Sequence, residues 1–283
     1  MTMLSINTNV GALKAAQASY SVNKSMETSM ARLSSGKRIN SAADDAAGLA
    51  IANRQTAEIQ GMQQAVRNAA DAQALLGTAE GSMDEIHSIL LRLRELAVQA
   101  SNGTNSAADR DFLQYEADAL ESEIQRIADD TTFAGVKLLD GTANASGGIV
   151  TGLTMQIGVD AGQTVAHSIA TFSVANTLMG IASSEGISTV TLAQAFITQM
   201  DATISNVGAE RAQIGAVMNR LDHAMSNLSN QATQLSTAKG RIEDADFAAE
   251  TANLARTQVL QQASMSMLAQ ANASKQQILS LFQ

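Results

Sequence analysis

The chain contains no proline, no cysteine and no tryptophan, and aromatic residues fill only 3% of its 283 positions. At an average usage of about 5%, a chain this long would carry more than ten prolines. Proline breaks helices and removes a backbone donor, so its absence suits long uninterrupted helices. It also removes a slow isomerisation from folding, which helps a chain that folds only at its destination. Without cysteine there is no disulfide framework, no thiolate zinc site and no cysteine nucleophile. The net charge of −9 argues against nucleic-acid binding, which needs a basic face. No run of about 20 apolar residues is present to span a bilayer. The opening MTMLSINTNVGAL has no basic segment, no continuous apolar segment and no small-residue cleavage site, so no secretory signal is read there.

What is present is helical periodicity. From Ile197, apolar residues recur at Met200, Ile204, Val207, Ile214, Met218, Leu221, Met225, Leu228, Ala232 and Leu235, and Arg211 is the one charged residue among them. Steps of three and four mark the seam of a long helix packed on partners. Earlier, Ile59, Met62, Val66 and Ala69 form one stripe, and after a slip Met83, Ile86, Leu90, Leu93 and Ala97 form another. SNGTNS at 101–106 reads as a turn. Leu113, Ala117, Leu120, Ile124 and Ile127 then share one face of a third helix. Three such helices can bury their stripes as an elongated bundle. Between them, Leu153, Met155, Ile157 and Val159 alternate with small or polar residues. Asp160–Gln163 reads as a turn and Thr164–Val174 as a second strand, a small hairpin. The fold expected is mainly α, with long coiled-coil-like helices, a small β element around 133–175, and terminal helices paired with each other.

The ends are unusual. Residues 1–13 carry no charge, and Thr257–Gln283 carry only Lys275. A solvated helix normally shows a charged face. Two nearly uncharged ends are either frayed tails or helices that other chains must cover. The abundance of good helix formers argues against fraying.

Several motifs resemble one family. SINTNVGALKAAQ at 5–17, RLSSGKRINSAADDAAGLAIA at 32–52, the run at 67–106 ending in SNGTNS, FAGVKLLDG at 133–141, and RIEDADFAAETANLARTQVLQQASMSMLAQAN at 241–272 are similar, in this order, to bacterial flagellins. Only about sixty residues separate FAGVKLLDG from the returning heptad, so the resemblance is to a minimal member with no variable outer domain. No HExxH protease insert is present.

The resemblance implies that residues 1–40 and 240–283 form helices side by side in the filament's inner core. Leu4, Ile6, Val10, Leu13, Leu260, Met267, Leu268, Ile278 and Phe282 would be assembly residues. Residues 41–239 would form a rod-like helical domain. Asp44, Asp45, Arg241, Asp244 and Asp246 would sit in the connecting spokes, either as paired charges or as solvated helix caps. LLRLRELAVQ resembles the stretch recognised by Toll-like receptor 5, placing Arg92 and Leu96 on a recognition patch that Glu116 completes. All three lie off the apolar stripes and are expected to face solvent, for a receptor, for subunit packing, or for both.

The implied function is a structural, non-enzymatic subunit that self-assembles into the extracellular filament used for swimming. No nucleophile–base pair, phosphate loop or metal cluster is legible, and no cofactor is expected. The implied partners are further copies of the chain, an export chaperone on the C-terminal helix, the flagellar type III export apparatus, the filament cap and hook–filament junction proteins, with no nucleic acid and no membrane. Export would proceed without a cleaved signal. The alternative is a hook–filament junction protein, which shares the terminal helices.

Overall fold

The long proline-free runs form long helices. In the computed structural model, which describes residues 8–140, 153–170, 172 and 186–280, the order is α1 (Val10–Ser35), α2 (Ala46–Ala100), α3 (Ala107–Asp130), β1 (Thr132–Phe133), β2 (Val136–Lys137), β3 (Leu153–Gln156), β4 (Thr164–His167), α4 (Val190–Glu243) and α5 (Phe247–Ser280). At 54 residues, α4 is roughly 80 Å long. The chain divides into two units, Met1–Ile59 with Thr233–Gln283, and Gln60–Ala232.

Unit Gln60–Ala232 holds the hydrophobic core. On α2, Leu75 and Leu96 are buried beside a seam of buried Ala65, Ala69, Ala72, Leu76, Ala79, Met83, Ile86, Leu90, Leu93, Ala97 and Ala100. The seam's spacing alternates four and three without interruption, so the slip expected between Ala69 and Met83 does not exist. Alanines fill that stretch. A small side chain is a weak hydrophobic signal in sequence, yet a full core residue where helices approach closely.

On α4 the buried positions are Ala193, Phe196, Met200, Thr203, Val207, Glu210, Ile214, Val217 and Leu221. Met200, Val207, Ile214 and Leu221 were expected. The alternate positions fall one residue earlier than Ile204, Arg211 and Met218, which are half-buried at the flank. The charged residue inside the seam is therefore Glu210, not Arg211. Its Oε1 accepts the Ala170 N–H at 3.1 Å and lies 3.9 Å from His167 Nε2 at the end of β4. A buried carboxylate needs such partners.

α3 begins at Ser106, whose hydroxyl and backbone N–H exchange hydrogen bonds with Asp109 in a capping box. Its buried residues are Ala117, Ile124 and Ala128, with Leu113, Leu120 and Ile127 half-buried against the same core. The β1–β2 hairpin turns on Ala134 (φ 51°) and Gly135 (φ 81°), the double left-handed pair of a two-residue hairpin turn. It delivers Leu138 and Leu139, both fully buried. β3 and β4 pair antiparallel, Leu153 with His167 through Gln156 with Thr164. Strand β4 ends at His167, short of the expected span, and residues 141–148 lie outside the described residues. A Cβ on Gly61 would stand 2.8 Å from Val159 Cγ1, so glycine lets the hairpin lie on α2.

Candidate assembly interface

In the other unit, α1 runs antiparallel to α5. Asn9 Nδ2 donates to Ala271 O at 3.0 Å and Gln261 Nε2 to Asn23 Oδ1 at 2.8 Å, while Arg32 Nη1 stands 3.8 Å from Glu250 Oε2. The pair buries very little. Among the described side chains of α1 only Ser29 is buried, and of α5 only Glu250. Both are polar. Many apolar side chains point outward: Val10, Leu13, Tyr20 and Met30 on α1, and Phe247, Val259, Leu260, Met265 and Met267 on α5, are exposed, while Val22, Met26 and Leu33 on α1 and Leu254 on α5 are half-buried. Leu268 is half-buried. Of the other expected assembly residues, Leu4, Ile6, Phe282 and the side chain of Ile278 lie outside the described residues.

Exposed apolar side chains of this size, concentrated on two helices with little charge, form the kind of surface that marks a binding interface.

Where these helices meet the rest of their unit, two chain segments cross. Helix α1 ends at Gly36, in the left-handed conformation (φ 72°) with its N–H on Arg32 O, as a helix-stopping glycine does. The next residues pair with the α4–α5 junction: Arg38 N–H donates to Glu243 O at 2.6 Å and Ala245 N–H to Gly36 O at 3.0 Å. Lys37 Nζ reaches Glu243 Oε1 at 2.5 Å and Lys239 Nζ reaches Oε2 at 3.6 Å. The Lys37 bond, opposed by burial, holds the Glu243 carboxyl below its usual range. Arg38 also donates from Nη2 to Ile242 O at 2.7 Å.

The charges expected at this crossing take several roles. Asp44 Oδ2 accepts the backbone N–H groups of Asn40 and Ser41 and the Ser41 hydroxyl. Those bonds, the Ser41 N–H first, lower its carboxyl range. Asp45 Oδ1 accepts the Gly48 N–H at 2.8 Å and caps α2, and its other oxygen lies 3.8 Å from Arg38. Asp246 accepts the Ala248 and Ala249 N–H groups at the start of α5. Asp244 pairs through its backbone with Lys37. Arg241 is exposed and joins none of these contacts. Sequence reasoning missed Lys37, Arg38 and Glu243, whose signal was only that the RLSSGKRIN and RIEDAD motifs carry opposite charges.

The third surface is on α2 and α3. The Arg92 guanidinium donates to Glu116 Oε1 from Nε at 3.0 Å and from Nη2 at 2.7 Å, and from Nη1 to Glu95 at 2.6 Å. Arg92 and Glu116 side chains are 44% and 45% exposed. Leu96 is 0% exposed. The expectation that it faces solvent is overturned: Leu96 adjoins Ala97 in the α2 seam, and a helix burying a broad stripe takes the neighbour of a heptad position as well. The apolar side chains open to solvent near this pair in sequence are Leu91, Val98, Phe112 and Tyr115.

No helix among the described residues is long and apolar enough to cross a membrane.

Comparison with known proteins identifies the family. Residues 6–144 match the bacterial flagellin N-terminal helical region and residues 197–282 the bacterial flagellin C-terminal helical region. A flagellin of Halalkalibacterium halodurans is 41% identical over 255 residues, covering 90% of this chain and 91% of that one. The polar flagellin B/D of Vibrio parahaemolyticus is 45% identical over 177 residues, and there the match spans 62% of this chain but only 45% of the relative. The crystal structure of Bacillus cereus flagellin superposes with a TM-score of 0.50 at 35% identity, covering 61% of this chain and 94% of that one. A Vibrio parahaemolyticus chain assigned as flagellar hook-associated superposes at 0.59 with 17% identity, over 71% of this chain and all of that one, a likeness of fold alone. Two matched terminal regions and a relative aligned over nine-tenths of both chains identify this chain as a member of the bacterial flagellins, the structural subunits of the flagellar filament.

Proposed function

We propose that α1 and α5 are the assembly interface of the filament's inner core, and that the chain acts mechanically, with no enzymatic step. The observation that carries this reading is that the α1–α5 pair fully buries no described apolar side chain and leaves nine large ones exposed. Burying apolar surface contributes about 25 cal/mol per Å², so copies that cover these side chains gain what a lone copy forgoes. Export through the flagellar type III apparatus without a cleaved signal fits the same surface, because an exposed apolar helix before assembly calls for a chaperone on α5. Growth beneath a filament cap, from hook–filament junction proteins, completes the proposed set of partners.

The test is deletion. Chains lacking 1–35 or 250–283 keep the core of Gln60–Ala232 and are expected to remain helical, soluble and unable to extend seeded filaments. A truncated chain that still forms long filaments would remove α1 or α5 from the interface. The alternative, a hook–filament junction protein, predicts that sheared cell-surface filaments do not contain this chain as their main subunit. Electron microscopy of such filaments with subunit mass from the same material decides between them.

A second reading concerns Toll-like receptor 5. It rests on the exposed Arg92–Glu116 pair, now without Leu96. Arg92→Ala is expected to weaken receptor signalling by the monomer at least roughly tenfold, or about 1.4 kcal/mol, with helicity unchanged. Equal potency of mutant and wild type would reduce the pair to a packing surface.

A further inference from the structure

The turn between α2 and α3 contains the chain's single Asn-Gly step, Asn102–Gly103. We propose that Asn102 is a site of spontaneous deamidation, through a cyclic imide closed by the Gly103 backbone nitrogen. The inference is independent of the assembly reading.

The reaction needs a free amide nitrogen, an accessible side-chain carbonyl carbon and an unheld leaving group, and the turn supplies all three. Gly103 N–H donates to no group among the described residues. Asn102 and Gly103 are both exposed, and no atom lies within 4 Å of where a Cβ on Gly103 would stand. Without a Cβ the nitrogen can swing onto the side chain. Asn102 Oδ1 accepts the Thr104 N–H at 3.2 Å, which folds the side chain back along the following backbone and draws electrons from its carbonyl carbon. The Asn102 Nδ2, which must depart, has no partner among the described residues.

Asn105 is the internal control, in the same loop. Its Nδ2 donates to Gln99 O at 2.7 Å, and the nitrogen that would attack, that of Ser106, is bound to Asp109 Oδ2 at 2.9 Å. Both reacting groups are occupied. The capping box that starts α3 thus protects Asn105 and leaves Asn102 open.

The chemistry balances with water as the only co-reactant. Hydroxide removes the Gly103 amide proton, the nitrogen bonds to Asn102 Cγ, and the Cγ–Nδ2 bond breaks to release ammonia. Water then opens the imide. Cleavage at Cγ–N leaves aspartate; cleavage at the backbone carbonyl carbon leaves isoaspartate, with the main chain rerouted through Cβ. In the isoaspartate product the new carboxylate forms at the former Asn102 backbone carbonyl, whose oxygen now accepts from Arg110 Nη2 at 3.1 Å, while Arg110 Nε donates to Ala100 O at 2.8 Å. The isoaspartate form also lengthens the backbone at the α2–α3 turn, so an ageing subunit changes both charge and geometry there.

The test incubates the folded full-length monomer at mildly alkaline pH and maps deamidation and isoaspartate by peptide mass spectrometry over time. Conversion is expected at Asn102 well ahead of Asn105. Gly103→Ala, which meets no atom and requires no left-handed φ, is expected to slow it by roughly tenfold or more with unchanged circular dichroism. In denaturant, Asn105 is expected to begin converting as well. No conversion at Asn102, equal rates at Asn102 and Asn105 in the folded chain, or a Gly103→Ala rate equal to wild type would each overturn the proposal.

Discussion

The Arg211 guanidinium meets the Asp84 carboxylate at 2.8 Å, and their residue numbers add to 295. The same sum holds for Arg94 with Asp201 and for Gln73 with Asp222. Three polar contacts at one constant sum fix the antiparallel register of α2 on α4. The need for them follows from the seam. A heptad repeat is satisfied almost as well after a seven-residue slip, so apolar positions alone specify register weakly, and flanking charges settle it. A slip would set Arg211 opposite Gly77 or Leu91 and Arg94 opposite Gln194 or Gly208.

Arg94→Asp and Asp201→Arg are therefore each expected to destabilise the monomer slightly, as the loss of an exposed ion pair does. The double exchange should recover most of the loss. Urea unfolding of the four proteins measures this. Additive losses in the double variant would show that the pair sets nothing.

Leu96 and Arg92 are expected to part company. Truncating fully buried Leu96 to alanine removes core packing and costs about 2–5 kcal/mol. Arg92→Ala or Glu116→Ala breaks a half-exposed pair and costs far less. Thermal unfolding of the three variants distinguishes them. A Leu96→Ala monomer as stable as wild type would return Leu96 to the surface patch.

Much of this was legible in the sequence. Met200, Val207, Ile214 and Leu221 announced α4, and SNGTNS announced the turn after α2. The misses have physical causes. Ala72 and Ala79 bury little area each, so hydrophobicity skipped them and invented a slip. Glu210 was hidden because a buried carboxylate depends on the Ala170 N–H and His167, partners far from it in sequence. Leu96 and Ala97 are adjacent, and periodicity alone assigned the seam to one of them when the helix buries both. The chain crossing at Lys37, Arg38 and Glu243 joins positions about two hundred residues apart, beyond any local pattern.

Glu121 on α3 gives a pH dependence. Burial, with Asp118 nearby, raises its carboxyl to about 7. A raised acid binds its proton more tightly folded than unfolded, so stability falls as pH rises from about 4.5 toward 7 and stays reduced above. Because the side chain is partly solvated, the effect is about 1–2 kcal/mol after screening. Glu121→Gln is expected to stabilise the monomer by that amount at pH 8 and to change little at pH 4. Equal effects at both values would contradict the assignment.

The central claim is that α1 and α5 are held by other copies and not by their own subunit. Amide hydrogen exchange on monomer and filament reads this directly. The account predicts rapid exchange in the monomer through Val10–Ser35 and Phe247–Ser280, strong protection of both in the filament, and protection of 197–232 in either state. Terminal helices equally protected in monomer and filament would contradict it.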